Sequence, residues 1–293
     1  MRFTRILVPL DGSRLAEAVV PAARSFAERL GARLLLLHVL EQDAPAAVHG
    51  ERHLDTAEEA FTYLEEQAED LRRHGIAVES HVHERPVDDV APAVDAHAHE
   101  FGADLIAMCA HGRSNLRTRV LGSIAERLLR AGGVPILLRT IHSPGQAEFD
   151  LRKLLVPLDF GHDVDAALAA ARMLAAPYGA AVTLLCALER PAPTASRLLP
   201  GASALMTAYE VDELGRRLAA LADQLREDLG DVRGVVSDRA PAEAILAASE
   251  SLPADLIVMV TDAHGGLSTW YDRSTGQQLL SRPDLTLLLI KEL

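Results

Sequence analysis

Cysteine is nearly missing from this chain: Cys109 and Cys186 are the only two among 293 residues. Two thiols are too few for a disulfide framework or a cysteine-based metal centre. A reducing compartment fits such a chain, so a cytoplasmic location is expected. Positive charge is also scarce, with a formal net charge of −13, whereas a nucleic-acid binder normally presents a basic face. The arginines bunch in "RRHG", "GRSNLRTR" and "ERLLR", but the first and last of these fall on predicted helices. No apolar run approaches the length of a membrane span. The opening "MRFTRILVPLDGS" is broken by Pro9 and Asp11 where a signal peptide would stay apolar, so it reads as a strand and a turn. No G-x-x-x-x-G-K-[ST] loop and no G-x-G-x-x-G after the first strand occurs, and no serine has a G-x-S-x-G setting. What remains is an ordinary globular composition, 49% apolar and 24% charged.

The chain repeats itself. "ILVPLDG" at 6–12 returns as "LLVPLDF" at 154–160, and "LLLLHVLE" at 34–41 returns as "VTLLCALE" at 182–189, both shifted by 148. "ADLIAM" at 103–108 returns as "ADLIVM" at 254–259, shifted by 151. Matches in order at nearly one offset indicate two copies of one domain, placed at 1–141 and 150–293. The join "TIHSPGQAEFD" carries the Pro-Gly punctuation of a linker.

Within the first copy, strands are predicted at 4–10, 33–40, 77–83, 104–109 and 134–139, alternating with helices at 14–30, 54–73, 87–101 and 123–131. Strands apolar on both faces, alternating with helices, mean a parallel α/β sheet covered on both sides. The second copy repeats the order, with strands near 153–158, 181–187, 233–237, 255–260 and 285–290.

In such sheets ligands bind beyond the carboxyl ends of the strands. "VPLDG" and "MCAHG" both lie at such ends. Gly112 lets backbone pass close to a ligand. Gly122 precedes "SIAE", read as a capping box of Ser123 and Glu126. A helix N-terminus so placed favours anions, and successive amides in the loop before it form an anion-binding nest. Arg113, Arg117 and Arg119 add positive charge. The alternative is a plain strand–loop–helix connection whose glycines serve turns only.

At these residues the sequence resembles the universal stress protein family. Nucleotide-binding members carry G-x-x-G-x9-G-[ST] after the fourth strand and an aspartate in "VPxD" after the first. Here Cys109 replaces the first glycine, Gly112 and Gly122 follow, and Ser123 closes the pattern. The resemblance implies two tandem domains, each a five-stranded parallel open sheet of order 3-2-1-4-5 with helices on both faces. It implies an adenine nucleotide, ATP or AMP/ADP with or without magnesium, as ligand. Carried over by position, Pro9, Leu10 and Asp11 lie by the adenosine and the backbone of Val39 reads the adenine edge. Met108 and Cys109 line the base and ribose wall. Gly112, Gly122, Ser123 and Ile124 hold the phosphates, with His111 and Arg113 beside them. The resemblance also implies side-by-side pairing of domains, here the two copies of one chain, with homodimers and an unknown protein partner as further associations. The function expected is a nucleotide-binding stress-response regulator rather than an enzyme. A nucleotide-free scaffold and a slow ATP hydrolase using His111 or Asp11 are the competing expectations.

The second copy loses the pattern. Aligned on "ADLIVM", Gly112 becomes Ala263, His111 becomes Asp262 and Gly122 becomes Arg273. One working site, in the first copy, is therefore expected. "LSTWYDRS" at 267–274 is read as a plug of that lapsed pocket. The remaining candidates have simpler readings. His81, His83, His97 and His99 are expected to be structural or surface groups rather than metal ligands, and His38 a hydrogen-bonded core histidine. Asp88, Asp89 and Asp95 are assigned to helix starts and exposed helix faces. Cys109 lacks an evident base to make it a nucleophile. Residues 42–53 and 190–205 are read as mobile loops at the pocket mouth.

Overall fold

The first strand, β1 (Arg5–Pro9), buries Ile6, Leu7 and Val8 completely, because both its faces are covered. In the computed structural model the described residues are 2–42, 47–48, 51–52, 54–110, 122–131, 133–140, 148–160, 164–187, 200–252, 254–261, 279 and 285–291. They fall into two compact units. One holds residues 2–150 together with Leu279 and the C-terminal strand; the other is built on residues 151–260.

In the first unit, β1 leads into a short helix α1 (Arg14–Glu17) and then α2 (Val20–Leu30). The sequence pattern suggests one helix over 14–30, but Pro21 at the start of α2 has no N–H to give to the preceding turn, so the chain restarts there. Gly31 ends α2 in the left-handed conformation, φ 68°. Strand β2 (Arg33–Glu41) buries every residue from Leu34 to Leu40. A two-residue-per-strand hairpin, β3 (Ala47–Val48) with β4 (Glu51–Arg52), follows. Thr56 caps α3 (Ala57–Arg73) by accepting from the Glu59 amide at 3.2 Å. Strand β5 (Val78–Val87) runs longer than expected and α4 (Val90–Glu100) starts later. Strand β6 (Leu105–Cys109), α5 (Ser123–Ala131) and β7 (Ile136–Arg139) complete the copy.

The parallel pairings place the strands in the order β5-β2-β1-β6-β7. The last strand of the chain, β12 (Thr286–Lys291), lies antiparallel against β7, pairing Thr286 with Arg139 and Leu289 with Ile136. Thr140 fastens the start of that strand: its Oγ1 accepts from the Leu285 amide at 2.9 Å. A strand at 285–290 is expected from the sequence; its antiparallel partner β7, about 150 residues earlier, is not legible there.

The second unit contains β8 (Lys153–Leu158), α6 (Asp165–Tyr178), β9 (Ala181–Ala187), α7 (Pro200–Leu229), β10 (Val232–Ser237), α8 (Pro241–Ser251) and β11 (Leu256–Thr261). Its strands pair in parallel in the order β10-β9-β8-β11. Residues 200–205, expected as part of a loop, belong to α7.

The aspartate of each "ADLI" repeat is structural. Asp104 accepts from the backbone amides of Thr4 and Arg5 at 2.8–3.0 Å and from Thr4 Oγ1 at 2.6 Å. Asp255 accepts likewise from the amides of Arg152 and Lys153 at 2.9 and 2.8 Å. Each carboxylate ties the entry of one strand to the entry of its neighbour, which sets the register on which the strand ends depend.

Candidate functional site

Strand β1 has β2 on one side and β6 on the other, so the connections leave it in opposite directions. A crevice at the carboxyl ends is the consequence. It contains a cavity of about 330 Å³, within the size class of small-ligand pockets. Of the residues singled out in the sequence, Pro9, Leu10, Asp11, Val39, Met108, Cys109, Gly122, Ser123 and Ile124 line it. His111, Gly112 and Arg113 lie outside the described residues, as do Arg117, Arg119 and the degenerate loop 262–278.

Local chemistry fixes the rim. Asp11 accepts from the amide and the hydroxyl of Ser13 at 3.0 and 2.6 Å. Ser13 Oγ in turn accepts from the Ala16 amide at 3.1 Å, capping α1. The expected core role of His38 is met: it is buried, and its Nδ1 lies 2.8 Å from the Leu10 carbonyl oxygen. That contact holds the "VPLD" turn against β2. Gly12 adopts φ +84°, and a side chain there would meet Leu54 at 3.0 Å.

The start of α5 differs from the capping-box reading. The Glu126 amide donates to the carbonyl of Gly122 at 2.9 Å, so the cap is Gly122 and Ser123 is already inside the helix. The Glu126 carboxylate accepts from Arg130 Nη2 at 2.7 Å. The Gly122 amide donates back to the Ala110 carbonyl at 2.7 Å, which ties the helix start to the end of β6. The first helical amides, which have no acceptor within their own helix, thus sit at the cavity wall.

Sequence reasoning missed the contributions of Ala16, Leu37, Glu41, Val90, Val94, Ala125 and Arg127, and the cavity-facing role of Asp88 and Asp89. Some had a usable signal. Leu37, Val39 and Glu41 alternate on one strand, so Val39 implies the other two. Arg127 is one helical turn beyond Ser123. Asp89 does begin a helix, as expected: it caps α4 by accepting from the Ala91 amide at 3.2 Å. It also forms an ion pair with Arg127.

Cys109 is buried, with its Sγ 3.7 Å from the Ala16 carbonyl oxygen. Burial pushes its thiol up to about 12, which opposes formation of the thiolate that a nucleophile needs.

The histidines gather on the face of β5 that meets α4. His83 Nδ1 lies 2.9 Å from His97 Nε2, and His97 Nδ1 lies 2.9 Å from Glu100 Oε2. The His81 ring stacks edge-on to His97, with centroids 4.7 Å apart, and lies 4.9 Å from Phe101. Among the described residues no set of three His, Cys, Asp or Glu is arranged to hold a metal. Burial, and next the proximity of His97, lower the pKa of His81 and His83 below the usual 6.5. The unfolded chain therefore takes up protons first as pH falls below about 6.5, and stability drops from that pH down to the lower folded values. Thermal melts between pH 7.5 and 5 are expected to show this decline, and H81Q/H83Q to flatten it. An equal slope in the variant would refute the assignment.

A family model described as "Universal stress protein family" matches residues 2–138 and again 150–291. The chain belongs to the universal stress protein family. Universal stress protein MJ0577 of Methanocaldococcus jannaschii is 26% identical over 153 residues, covering 46% of this chain and 94% of its own. Universal stress protein YxiE of Bacillus subtilis is 25% identical over 149 residues, 46% of this chain and 98% of its own. Each of these relatives corresponds to one half of the present molecule. A solved universal stress protein from Archaeoglobus fulgidus spans 99% of this chain and 97% of its own, with a TM-score of 0.69 at 20% identity; at that identity the likeness concerns the fold. No helix among the described residues is long and apolar enough to cross a membrane.

Proposed function

We propose that this universal stress protein binds one adenine nucleotide per chain, in the cavity of the first unit, and acts as a regulator whose surface changes with occupancy. The observation that carries the reading is the meeting of the carboxyl ends of β1, β2 and β6 with the starts of α4 and α5 at one cavity. Leu37, Val39, Met108, Val90 and Val94 give it apolar walls suited to a base, while Gly122 and Ser123 bring a helix N-terminus suited to phosphate. These residues fit the group that the family resemblance implies.

The second unit favours one site rather than two. Where the first copy has Gly12, the second has Phe160, and the Arg217 guanidinium lies 3.9 Å above its ring. That cation–π stack stands next in sequence to Asp159, the counterpart of Asp11, and puts a bulky pair where the first copy has a glycine.

Titration calorimetry with ATP, AMP and adenosine tests the reading on the full chain. Saturation at one ligand per chain is the expected result. Two equivalent sites would refute the asymmetry, and no heat with any of the three at millimolar concentration would refute nucleotide binding.

A further inference from the structure

Arg127 is the only Lys or Arg among the described residues that line the cavity, against four carboxylates, Asp11, Glu41, Asp88 and Asp89. It stands on the same face of α5 as Ser123 and Ile124, at i+4 and i+3, and all three reach the cavity. Its guanidinium is engaged by Asp89, with the two side chains 56% and 39% exposed. A pair this open to water is weak and readily exchanged. Asp89 does not depend on it: the same carboxylate accepts the Ala91 amide and sits at the positive end of α4.

We propose that Arg127 is the residue by which the cavity distinguishes a nucleotide from its nucleoside, and that Asp89 competes with phosphate for it. The inference rests on the nucleotide reading above. An anion entering a cavity with four carboxylates on its walls is opposed at short range. An arginine released from Asp89 reverses that opposition, because guanidinium and phosphate form charge-assisted, two-pronged hydrogen bonds. With its guanidinium one turn beyond the first amides of α5, Arg127 and those amides address the same ligand oxygens. The nucleoside part, held by the apolar walls, does not sense the exchange.

The test compares AMP and adenosine by calorimetry on the full-length wild type, R127Q and D89N. R127Q is expected to weaken AMP about tenfold, the lower end of what a lost charged hydrogen bond gives, while adenosine stays within about twofold. D89N is expected to tighten AMP relative to adenosine, because asparagine caps α4 as well as aspartate does but no longer holds the guanidinium. If the pair merely ties α4 to α5, R127Q will weaken both ligands alike and lower the melting temperature, and the proposal fails. An unchanged AMP-to-adenosine ratio in R127Q with unchanged melting also overturns it. A wild type that binds neither ligand overturns the nucleotide reading itself, which separates the two failures.

Discussion

Replacing Ser123 by aspartate is expected to leave the fold intact, or slightly more stable, while reducing AMP or ATP affinity by roughly two orders of magnitude. The two effects have one electrostatic origin with opposite consequences. Ser123 is exposed and occupies the first helical position of α5. A carboxylate there meets the positive end of the helix and stabilises it by about 0.3–1 kcal/mol. The same carboxylate takes up the amides that a phosphate would use. It also repels an anion about 4 Å away by up to ~4 kcal/mol at a surface-like dielectric. Adenosine, with no phosphate, is expected to lose only a few-fold. Melting curves together with calorimetry on S123D decide the matter. A variant that binds AMP as the wild type does would show that the α5 terminus does not receive the phosphate, and the cavity would need another ligand class.

Much of this site was legible because it is written at strand ends. "VPLD" marks the exit of β1, and an apolar run ending in Met108-Cys109 marks the exit of β6; neighbouring parallel strands then bring the two exits together. Gly122 and Ser123 were legible from the helix start that follows. The wall supplied by α4 was not, because Asp88 to Val94 are distant in sequence from the other lining residues. Only the passage of α4 over the sheet brings them there. Asp89 shows the difficulty well. Its capping role follows from local pattern, whereas its pairing with Arg127 requires two helices to be placed first. The misread capping box has a smaller cause: S-x-x-E is satisfied equally by a helix starting one residue earlier, and the Gly122–Ala110 bond selects that start. The break at Pro21 went unread in the single helix expected over 14–30, although a proline without an N–H is a local signal for it. The cluster of His81, His83 and His97 combines two patterns, alternation on β5 and one turn of α4, whose meeting again depends on the register of the sheet.

The two thiols are expected to resist alkylation in the native protein and to react fully once it is unfolded. Burial raises Cys109 to about 12 and Cys186 to about 11, each from an ordinary value of 9.0. Only the thiolate is nucleophilic, so at pH 8 the native thiolate fraction falls roughly a thousandfold for Cys109 and a hundredfold for Cys186. For Cys186 the carboxylate of Asp159 acts in the same direction as burial. For Cys109 the nearby Arg139 works against burial and does not overcome it. The sign for stability follows. An acid whose pKa is higher in the folded state ionises first in the unfolded chain, so stability is lost as pH rises above about 9. Iodoacetamide labelling followed by intact mass measurement should show no adduct in buffer at pH 8 and two in urea, with Cys186 the faster under partial labelling. The result bears directly on the cavity, because Cys109 stands where the family pattern has glycine. An unreactive, neutral thiol directed at the Ala16 carbonyl acts as a small apolar wall group, compatible with a ligand beside it. Rapid native labelling at Cys109 would instead mean an ionised sulfur facing the cavity, which would repel an anion and return redox or nucleophilic chemistry to this site.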